Sequence, residues 1–503
     1  MIAIRMWLDR ITGRVTMYRL VDLVLGALLV IAIIAGAIGQ ISYSPLAIVV
    51  TAAVAIAVTF GSSWVFAKLF RTRAHLESSA ITGLLLAFLF APTLKPSELM
   101  AVALAAVIAS ASKYVLAIRR RHIFNPAAIG AFIVSLTGLN FAAWWAGTPA
   151  LLPFVVIGAF LVLYRTNRLA MGGLFVVLAI LLSTLQYSMA GTAVGSALWI
   201  AVGSSPIIFL AGFMLSEPLT LPPRRWQQLA LAVVVAVLLT TPFSFPPLYN
   251  SPELALIVGN VLAFAVGQRR GIRLDYQGRS QLTPTSWEFT FRPQRPLSFT
   301  PGQYMELALP HAGADQRGHR RVFSIASAPG GDVRFGLRIA DRSSSFKKSL
   351  LALEPGEVVS GTSIAGDFVL PRDEKRPLLL VAGGIGITPF MSQLEHLEST
   401  GAKRDVVVVY SSSSPDEIAY AERLATGGHR VLLVSPTEPD DLPATWTWLG
   451  AGPLTGDLLL SAVTDAAGRD AFVSGAPALV TSMKQALRRA GVRRVKSDYF
   501  SGY

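Results

Sequence analysis

The pattern of apolar and polar residues divides the chain into two unlike halves. The first half is built of long apolar runs, and the second of short strands and helices separated by polar turns. The apolar runs lie at 21–39, 46–67, 79–91, 98–118, 127–139, 150–164, 172–187, 194–215, 227–242 and 254–267. Each run predicts a helix, so residues 1–270 are expected to form a polytopic α-helical membrane domain of about ten helices. Several runs are shorter than the roughly 20 residues that cross a bilayer, which predicts broken, re-entrant or shielded helices.

Two proline-rich breaks in corresponding positions predict an internal repeat. Counting the runs in fives pairs the third with the eighth; the third ends at Phe90–Pro96 and the eighth at Ser216–Pro223. An inverted repeat places binding sites at broken helices near the repeat interface. The alternative is that these prolines simply end two unrelated helices.

Arginine residues occupy every second connection between the runs. They are Arg5, Arg10, Arg14, Arg19, Arg71, Arg73, Arg119, Arg120, Arg121, Arg165, Arg168, Arg224, Arg225, Arg269 and Arg270. The alternate connections carry little charge beyond Lys95, Glu98 and Glu253. The positive-inside rule then predicts a multi-pass protein of the bacterial inner membrane, with both termini and the second half in the cytoplasm. The net charge of +14 is explained by this topology, so nucleic acid is not an expected partner.

Composition narrows the redox chemistry that is available. The mean hydropathy is +0.53 and only 15% of residues are charged, which supports a membrane region. The chain has no cysteine, which excludes disulfides, thiolate-ligated iron–sulfur clusters and covalently attached c-type haem. None of the six histidines falls in the middle of an apolar run, so stacked bis-histidine haems are excluded as well. A flavin, a quinone or a histidine-ligated metal is left as the electron carrier, and no metal site is assigned.

Four segments of the first half resemble a membrane flavoprotein family. They are Ile81–Leu84, Ser112–Tyr114, Ile123–Ala128 and Phe213–Pro218. Residues 20–268 look like the flavin-carrying membrane components of the Rnf electron-transport complex and of the sodium-pumping NADH:quinone reductase. The resemblance implies a flavin within the helices, FMN or riboflavin, near Thr82, Asn125 and Glu217. Asn125-Pro126 is a helix-start signal, and a helix N-terminus suits a flavin phosphate or ribityl oxygen.

One departure from the family pattern concerns covalent flavin. Members with covalent FMN have an acidic residue before a Ser/Thr-Gly-Ala-Thr acceptor in an outward loop. The counterpart here, Ser188–Ala193, lacks the acidic residue, and its order is scrambled. Thr192 is the candidate acceptor; the alternative is a structural threonine in a tight loop.

From about residue 273 the pattern is that of an antiparallel flavin domain. Trp287, Phe289 and Phe291 alternate with polar residues, as one face of a sheet requires. Pro301–Tyr304 and Arg321–Ser327 follow in the order found in ferredoxin–NADP reductase-like domains, and this resemblance covers residues 273–503. It implies an FAD-binding β-barrel over 271–371.

The same resemblance assigns flavin contacts residue by residue. It places Phe323 against the isoalloxazine, Arg321 on phosphate and Ser324 on the ring or ribityl chain. Tyr304 and Ser327 belong to the same two segments. Ser344 and Ser345 precede an apolar helix and are expected to contact phosphate; simple helix capping is the alternative.

The last domain, 372–503, has the pattern of an α/β Rossmann-like nucleotide domain. Strands at 378–382, 405–410, 430–434 and 471–474 alternate with helices, which predicts a parallel sheet. The first strand enters a glycine turn and a helix start, and these residues are expected to cradle the pyrophosphate. They are Gly383, Gly384, Gly386, Thr388 and Pro389.

The end of the chain supplies the expected catalytic residues. Ser474 and Gly475 lie in a segment that resembles the family's Cys-Gly-Pro-Pro beside the nicotinamide, with serine in place of cysteine. By the same resemblance, Phe500 or Tyr503 would cover the flavin. The serine-rich segment 411–414 has no arginine to pair a 2′-phosphate, so NADH is favoured over NADPH, although Arg423 could reach that position.

Together these patterns predict a membrane oxidoreductase. It would oxidise cytosolic NAD(P)H through FAD and pass electrons through a membrane-domain flavin to an extracytoplasmic flavoprotein or another acceptor. The alternatives are an NADH:quinone reductase, or a redox-linked ion or small-molecule transporter. The expected partners are the lipid bilayer, NADH, and an extracytoplasmic flavoprotein or quinone.

Overall fold

The computed structural model describes residues 17–70, 74–118, 121–245, 248–267, 272–313, 315, 319–340 and 343–500. The chain divides into two compact units, Met1–Arg269 and Arg270–Tyr503. The predicted further division at residue 371 stays a prediction. Most of the arginines that determine the predicted topology, among them Arg71, Arg119 and Arg269, lie outside the described residues, and so does Tyr503.

The described part of the first unit is mainly helical, with two short antiparallel strand pairs, Ala117–Ile118 with Arg121–His122 and Ser244–Phe245 with Leu248–Tyr249. Its apolar helices are α1 (Met17–Ala37), α2 (Pro45–Leu69), α3 (Leu76–Leu89), α4 (Pro96–Val115), α5 (Pro126–Thr137), α6 (Leu152–Arg165), α7 (Leu169–Met189), α8 (Val194–Gly203), α9 (Arg225–Thr240) and α10 (Pro252–Gly267). Four of them, α1, α2, α4 and α7, are long and apolar enough to cross a membrane. A fifth span results if α8 and the bent helix after it, Ile207–Met214, are counted together. A ten-span membrane domain therefore stays a prediction.

Helix α3 ends where the predicted proline-rich segment Phe90–Pro96 begins, whereas the break after α8 lies at Ser204–Pro206, ahead of the predicted segment Ser216–Pro223. Helix α3 ends at Leu89, where the backbone amides of Ala143 and Trp144 donate to the Leu89 carbonyl at 2.7 and 2.9 Å. Helix α8 bends by 42° before Ile207–Met214, and its last turn, Leu210–Met214, is π-helical. External amides thus satisfy carbonyls that the helix end leaves unpaired. The inverted-repeat relation between the two breaks stays a prediction.

Small residues let the helices of the first unit approach closely. A Cβ atom on Gly130 of α5 would lie 2.5 Å from the Ala105 carbonyl oxygen of α4, and one on Gly83 of α3 would lie 2.7 Å from Ile56 Cα of α2. Backbone contact through small residues is typical of helix packing in lipid.

A six-stranded antiparallel sheet opens the second unit. Its strands are β1 (Ile272–Thr283), β2 (Ser286–Pro293), β3 (Tyr304–Ala308), β4 (Arg320–Ser324), β5 (Val333–Arg338) and β6 (Val358–Ala365), in the order β4-β3-β6-β1-β2-β5. Phe289 and Phe291 are fully buried and Trp287 packs on the same core, as the alternation predicts. The described pairings leave β4 and β5 at the edges, so the closed barrel stays a prediction. Helix α11 (Ser345–Leu351) precedes β6.

A six-stranded parallel sheet completes the second unit and confirms the predicted α/β pattern. Its strands are β7 (Leu378–Gly383), β8 (Val406–Ser411), β9 (Arg430–Val434), β10 (Trp446–Trp448), β11 (Asp470–Gly475) and β12 (Val495–Tyr499), in the order β10-β9-β8-β7-β11-β12. The helices between them are α12 (Thr388–Thr400), α13 (Ala421–Thr426), α14 (Gly456–Ala462) and α15 (Pro477–Arg489). The central strands are uniformly apolar because both faces of the sheet are covered.

Candidate functional site

Two glycine segments meet at the carboxyl edge of the parallel sheet. Strand β7 ends at Gly383 and β11 ends at Gly475, next to each other in the sheet. A Cβ atom on Gly386 would lie 2.7 Å from Gly475 Cα and 2.7 Å from the Ser474 carbonyl oxygen. Gly384 and Gly475 have φ values of +51° and +143°. Side chains are thereby kept away from an edge where parallel sheets bind nucleotides.

Helix α12 begins directly behind this turn. Thr388 and Pro389 are its first residues, both are buried, and the Thr388 hydroxyl donates to the Ile385 carbonyl at 3.0 Å. Proline at this position has no amide to leave unpaired. The other amides of the first turn are suitable donors for an anion, which the helix dipole also favours.

The predicted catalytic serine lies where the two sheets of the second unit approach each other. Ser474 pairs in register with Asp498 of β12, and the Ser324 hydroxyl, at the end of β4, lies 3.4 Å from Asp498 Oδ2. The amide of Phe500 donates to the Gly475 carbonyl at 2.9 Å. The structure therefore brings together Ser324, Ser474, Gly475 and Phe500, which were predicted from separate motifs.

The side chains of Ser474 and Asp498 provide polar atoms suited to contact with a bound ligand. The Ser474 hydroxyl is buried and has no hydrogen-bond partner among the described residues. Burial raises the pKa of Asp498 to about 6, while hydrogen bonds from the Tyr499 amide and from Ser324 oppose the shift and the charge of Asp367 adds to it. Asp498 was not predicted as a site residue. Its signal in the sequence is an acidic residue two positions before the aromatic Phe500.

The predicted flavin-ring residues lie side by side at the edge of the antiparallel sheet. Tyr304 pairs with Ser324, and Met305 pairs with Phe323. The Phe323 ring is packed between Phe335 and Phe346, with ring centroids 6.4 and 5.8 Å away.

The predicted phosphate contacts surround a carboxylate. Arg321 Nη2 lies 3.1 Å from Asp315 Oδ1, and the Ser345 amide donates to Asp315 Oδ2 at 3.2 Å. The Ser344 hydroxyl accepts from the Lys347 amide and so caps α11, which supports the capping alternative for that serine. Because Arg321 and Ser345 already hold an anionic group, the donor set fits a phosphate.

Ser327 joins the two sheets of the second unit and is placed for a structural role. Its hydroxyl accepts from the Arg334 amide at 3.2 Å, and its carbonyl accepts from the Ser392 hydroxyl of α12 at 2.7 Å.

In the first unit, three predicted residues line one cleft. Thr82, Asn125 and Glu217, from α3, the start of α5 and the segment after α8, border an empty volume of about 550 Å³, which includes the part open to solvent. The other lining residues are mostly apolar: Met17, Tyr18, Val21, Ser78, Ile81, Leu85, Pro126, Ala127, Val162, Thr166, Phe213, Ser216 and Pro218. Apolar walls with a few converging polar groups are typical of small-molecule sites.

A hydrogen-bond network fixes the polar end of this cleft. Asn125 caps α5 by accepting from the Ala128 amide at 3.0 Å, and its Nδ2 donates to Glu217 Oε2 at 2.9 Å. His122 Nε2 lies 2.7 Å from Glu217 Oε1. The Asn125 amide donates to Asn260 Oδ1 at 2.8 Å. His122 and Asn260 were not predicted, since their connection to Glu217 and Asn125 is long-range in the sequence.

A lysine is hydrogen-bonded to one of the residues that line the cleft. Lys113 Nζ donates to the Ser78 carbonyl and hydroxyl at 2.9 and 3.1 Å, and the Thr82 hydroxyl donates to the same carbonyl at 2.9 Å. The cleft therefore has a cation and a carboxylate at its borders.

The structure does not bring Thr192 to this cleft. Thr192 lies in the loop between α7 and α8, where its amide donates to the Tyr187 carbonyl at 3.0 Å. Helix α7, which has 21 residues and is about 30 Å long, separates this loop from Arg168, which closely follows the cleft-lining Thr166. Among the described residues there is also no group of three or more His, Cys, Asp or Glu side chains that could hold a metal ion.

Comparison with known proteins identifies part of the second unit. Residues 380–485 match the family model described as the oxidoreductase NAD-binding domain. A flavohemoprotein of Oceanobacillus iheyensis is 31% identical over 134 residues, which are 25% of this chain and 32% of that protein. The toluate 1,2-dioxygenase electron transfer component of Pseudomonas putida is 29% identical over 214 residues, 40% of this chain and 58% of that one.

A crystal structure of a cytochrome P450 reductase from Amycolatopsis covers 47% of this chain and 71% of its own, with 24% identity and a TM-score of 0.40. The chain spans less than two thirds of the length of the flavohemoprotein and of the electron transfer component, the two curated relatives given above. The resemblance of residues 20–268 to the membrane flavoprotein family stays a prediction. The C-terminal half of the chain contains a ferredoxin–NADP reductase-like FAD/NAD-binding unit of the oxidoreductases.

Proposed function

We propose that this chain is a membrane oxidoreductase that oxidises cytosolic NADH and delivers the electrons through its membrane unit to an acceptor on the outer side. One observation carries the proposal: a chain with an FAD/NAD-binding unit also has, among apolar helices, a cleft lined by Thr82, Asn125 and Glu217. Apolar walls with a few converging polar groups suit a flat redox-active ring.

The residues of the second unit would hold and orient the two nucleotides. Arg321 and Ser345 would bind the FAD phosphates, and Phe323 would lie against its ring system. Bound FAD would accept a hydride from the nicotinamide and release electrons onward. Gly383, Gly386 and Gly475 would allow the dinucleotide backbone to approach, and Ser474 and Phe500 would limit the space beside the nicotinamide.

The contacts of Arg423 support NADH as the substrate. Its guanidinium makes two hydrogen bonds to the buried carboxylate of Glu288, at 2.6 and 3.0 Å. A fork-like pair of this kind is among the strongest hydrogen-bonded arrangements of a charged side chain. Arg423 is therefore held by the antiparallel sheet, and releasing it toward a 2′-phosphate would remove both short hydrogen bonds from the buried Glu288 and leave it the salt bridge to Arg334, whose Nε lies 3.9 Å away.

The membrane cleft would provide the carrier that a transmembrane route needs. The hydrocarbon core is about 30 Å thick, too wide for a single electron transfer, so a flavin at Thr82, Asn125 and Glu217 would divide the distance. Thr192 is retained as the candidate for a second, outer attachment point.

A quinone reductase or a redox-linked transporter is the second candidate function. The observation that favours it is a pair of ionisable groups at the cleft: Glu217, which contacts His122, and Lys113, which donates to the cleft-lining Ser78. Ionisable residues among apolar helices commonly mark proton, ion or substrate pathways.

Reconstituted vesicles test the proposal directly. The purified chain is inserted with its FAD/NAD unit outward, and a membrane-impermeant acceptor is trapped inside. Added NADH should reduce the trapped acceptor. Asn125→Leu should abolish this reaction and leave the reduction of an external dye unchanged, because the substitution lies in the cleft of the other unit.

Two other results would contradict the proposal. Reduction of added quinone while the trapped acceptor stays oxidised would identify a quinone reductase. Dye reduction without reduction of either acceptor, together with uptake that depends on sodium ions or protons, would identify a transporter.

A further inference from the structure

A run of cations lies at one corner of the parallel sheet. Six lysine and arginine residues and no acidic residue fall within 484–496, around the end of α15 and the start of β12. They are Lys484, Arg488, Arg489, Arg493, Arg494 and Lys496. The amides of Gly491 and Val492 donate to the carbonyls of Arg488 and Leu487, which folds the segment into a tight corner. We call Arg488, Arg489, Arg493 and Arg494 the basic corner; all four are exposed.

Contacts within the second unit explain the positions of some of these cations, but not of all four arginines of the basic corner. Lys496 donates to the Val369 carbonyl and lies over the Phe472 ring, and Lys484 donates to the Ser497 hydroxyl. Arg488 and Arg489 are in the last turn of α15, where a cation stabilises the helix dipole. Arg493 and Arg494 lie beyond the helix. Neither forms a salt bridge with an acidic side chain in the described part of the chain.

The basic corner is remote from the nucleotide-binding turn. The Ala471 amide donates to the Arg494 carbonyl, which places Arg494 at the amino end of β11. The glycine contact between β7 and β11 lies at the carboxyl end of the same strands, roughly 13 Å away along β11. Because the basic corner lies at the amino edge of the sheet and nucleotides bind at the carboxyl edge, its four arginines do not bind the phosphates of NADH.

We propose that the basic corner binds the anionic lipid headgroups of the cytoplasmic leaflet. The proposal rests on the membrane location given under Proposed function. The cytoplasmic leaflet carries anionic lipids that attract exposed basic clusters. Only residues 268–271 connect α10 to β1, so lipid headgroups are present at a high effective concentration for any basic surface of the second unit.

Binding at this corner would leave the opposite edge accessible. With the amino edge of the parallel sheet against the headgroups, the carboxyl edge with Gly386 and Gly475 faces the aqueous phase, from which NADH arrives. The other kind of partner for a basic surface is an acidic protein, and the experiment separates the two.

Arginine footprinting on the full chain tests the assignment without any substitution. The protein is placed in nanodiscs of phosphatidylcholine alone or with one third phosphatidylglycerol, treated with phenylglyoxal and analysed by mass spectrometry. Arg488, Arg493 and Arg494 should react at least about fivefold more slowly in the anionic discs, since each headgroup contact contributes a factor of about this size. Salt at about 1 M should remove the protection. Arg338, exposed at the end of β5 where it pairs with Ser286, is the internal control and should react equally in both discs, because the whole length of β1 separates it from residues 268–271.

A variant distinguishes binding at the corner from a general effect of charge. Replacing Arg493 and Arg494 together by glutamine should remove most of the lipid-dependent, salt-sensitive protection of Lys484 toward an amine reagent, whereas Arg279→Gln with Arg338→Gln, which removes the same charge from exposed positions elsewhere, should preserve it. Dye reduction by NADH shows that each variant is folded.

Equal reactivity of the corner in both discs would overturn the proposal. Protection that requires an added acidic protein and ignores lipid charge would overturn it too, in favour of protein docking. None of these measurements depends on electron transfer across the membrane, so their failure is distinguishable from failure of the proposed function.

Discussion

At the scale of single residues, the second unit gathers polar groups around one point. Ser324, Ser474 and Asp498 come from strands of two different sheets, and the Asp498 carboxyl is the titratable member. Two of the three were predictable, because each lies in a short motif with a known chemical role. Asp498 was missed since its importance depends on a contact with Ser324, 174 positions earlier in the chain.

The raised pKa of Asp498 predicts a pH-dependent gain in stability for Asp498→Asn. With a pKa of about 6 in the folded protein and 3.8 as the ordinary value, the folded state binds the proton more tightly. The free energy of unfolding therefore falls as the pH rises from about 4 to 6, and the full loss is present above pH 6. Asparagine should raise the unfolding midpoint of the second unit by a few degrees at pH 8 and leave it unchanged at pH 4. Differential scanning fluorimetry at both pH values measures this; Asp441→Asn, at an exposed loop, is the control. An equal gain at both pH values would show that charge is not the cause.

The serine-rich loop after β8 predicts nucleotide preference. The wild-type kcat/KM should be at least about tenfold higher with NADH than with NADPH, equivalent to about 1.4 kcal/mol. Ser413 is exposed in this loop, so Ser413→Arg should raise kcat/KM for NADPH by about tenfold through a charge-assisted contact to the 2′-phosphate. Steady-state kinetics with both nucleotides measures the change. Arg423→Ala should leave the wild-type kcat/KM for NADPH unchanged, because Glu288 already holds Arg423. A drop in that kcat/KM would show that Arg423 does reach the nucleotide.

At the scale of elements, periodicity predicted the central strands of the parallel sheet well and its edge strands poorly. The apolar strands β7, β8, β9 and β11 were predicted within about one residue, because buried parallel strands are continuous apolar runs. Strands β10 and β12 were missed: Trp446–Trp448 is short, and Val495–Tyr499 carries charges that an edge strand tolerates. The π-helical turn at Leu210–Met214 has no sequence signal, since it depends on the packing of neighbouring helices.

The contact between the ends of β7 and β11 predicts that Gly386→Ala will impair NADH oxidation selectively. The added methyl group would lie 2.7 Å from Gly475 Cα and from the Ser474 carbonyl oxygen, so backbone must shift, at a cost of about 1–3 kcal/mol. Dye reduction by NADH should fall at least about tenfold while FAD is retained, because the flavin residues lie on the other sheet. Gly468→Ala, where a methyl group meets no atom within 4 Å, is the matched control. Loss of FAD together with activity would show that the substitution unfolds the unit.

At the scale of the whole molecule, the proposed electron transfer through the first unit requires a carrier in each unit. The NAD-binding part of the second unit is supported by the match of residues 380–485 to the oxidoreductase NAD-binding domain, whereas the proposed role of the first unit rests on the cleft and on the resemblance of residues 20–268. Composition predicted the division, since the long apolar runs end near residue 267 and only short apolar segments follow. It did not predict which polar residues meet: Asn125 and Glu217 are 92 positions apart, yet they share a hydrogen bond.

The joint presence of both sites predicts two separable flavins in each chain. Extraction of the purified protein should give FAD and a second flavin, FMN or riboflavin, near a ratio of one to one. Arg321→Ala should lower the FAD content, since a charge-assisted phosphate contact is worth roughly 1.5–3 kcal/mol, and leave the second flavin in place. Asn125→Leu should have the opposite effect, because it removes the cap of α5 and a hydrogen bond to Glu217. Chromatography of the extracts before and after acid precipitation also detects covalent flavin; a covalent flavin that is lost in Thr192→Ala but kept in Asn125→Leu would be a third flavin, at the outer loop that does not reach the cleft. A single flavin per chain that responds only to Arg321→Ala would mean that the cleft binds something else, and quinone would then be the carrier to test first.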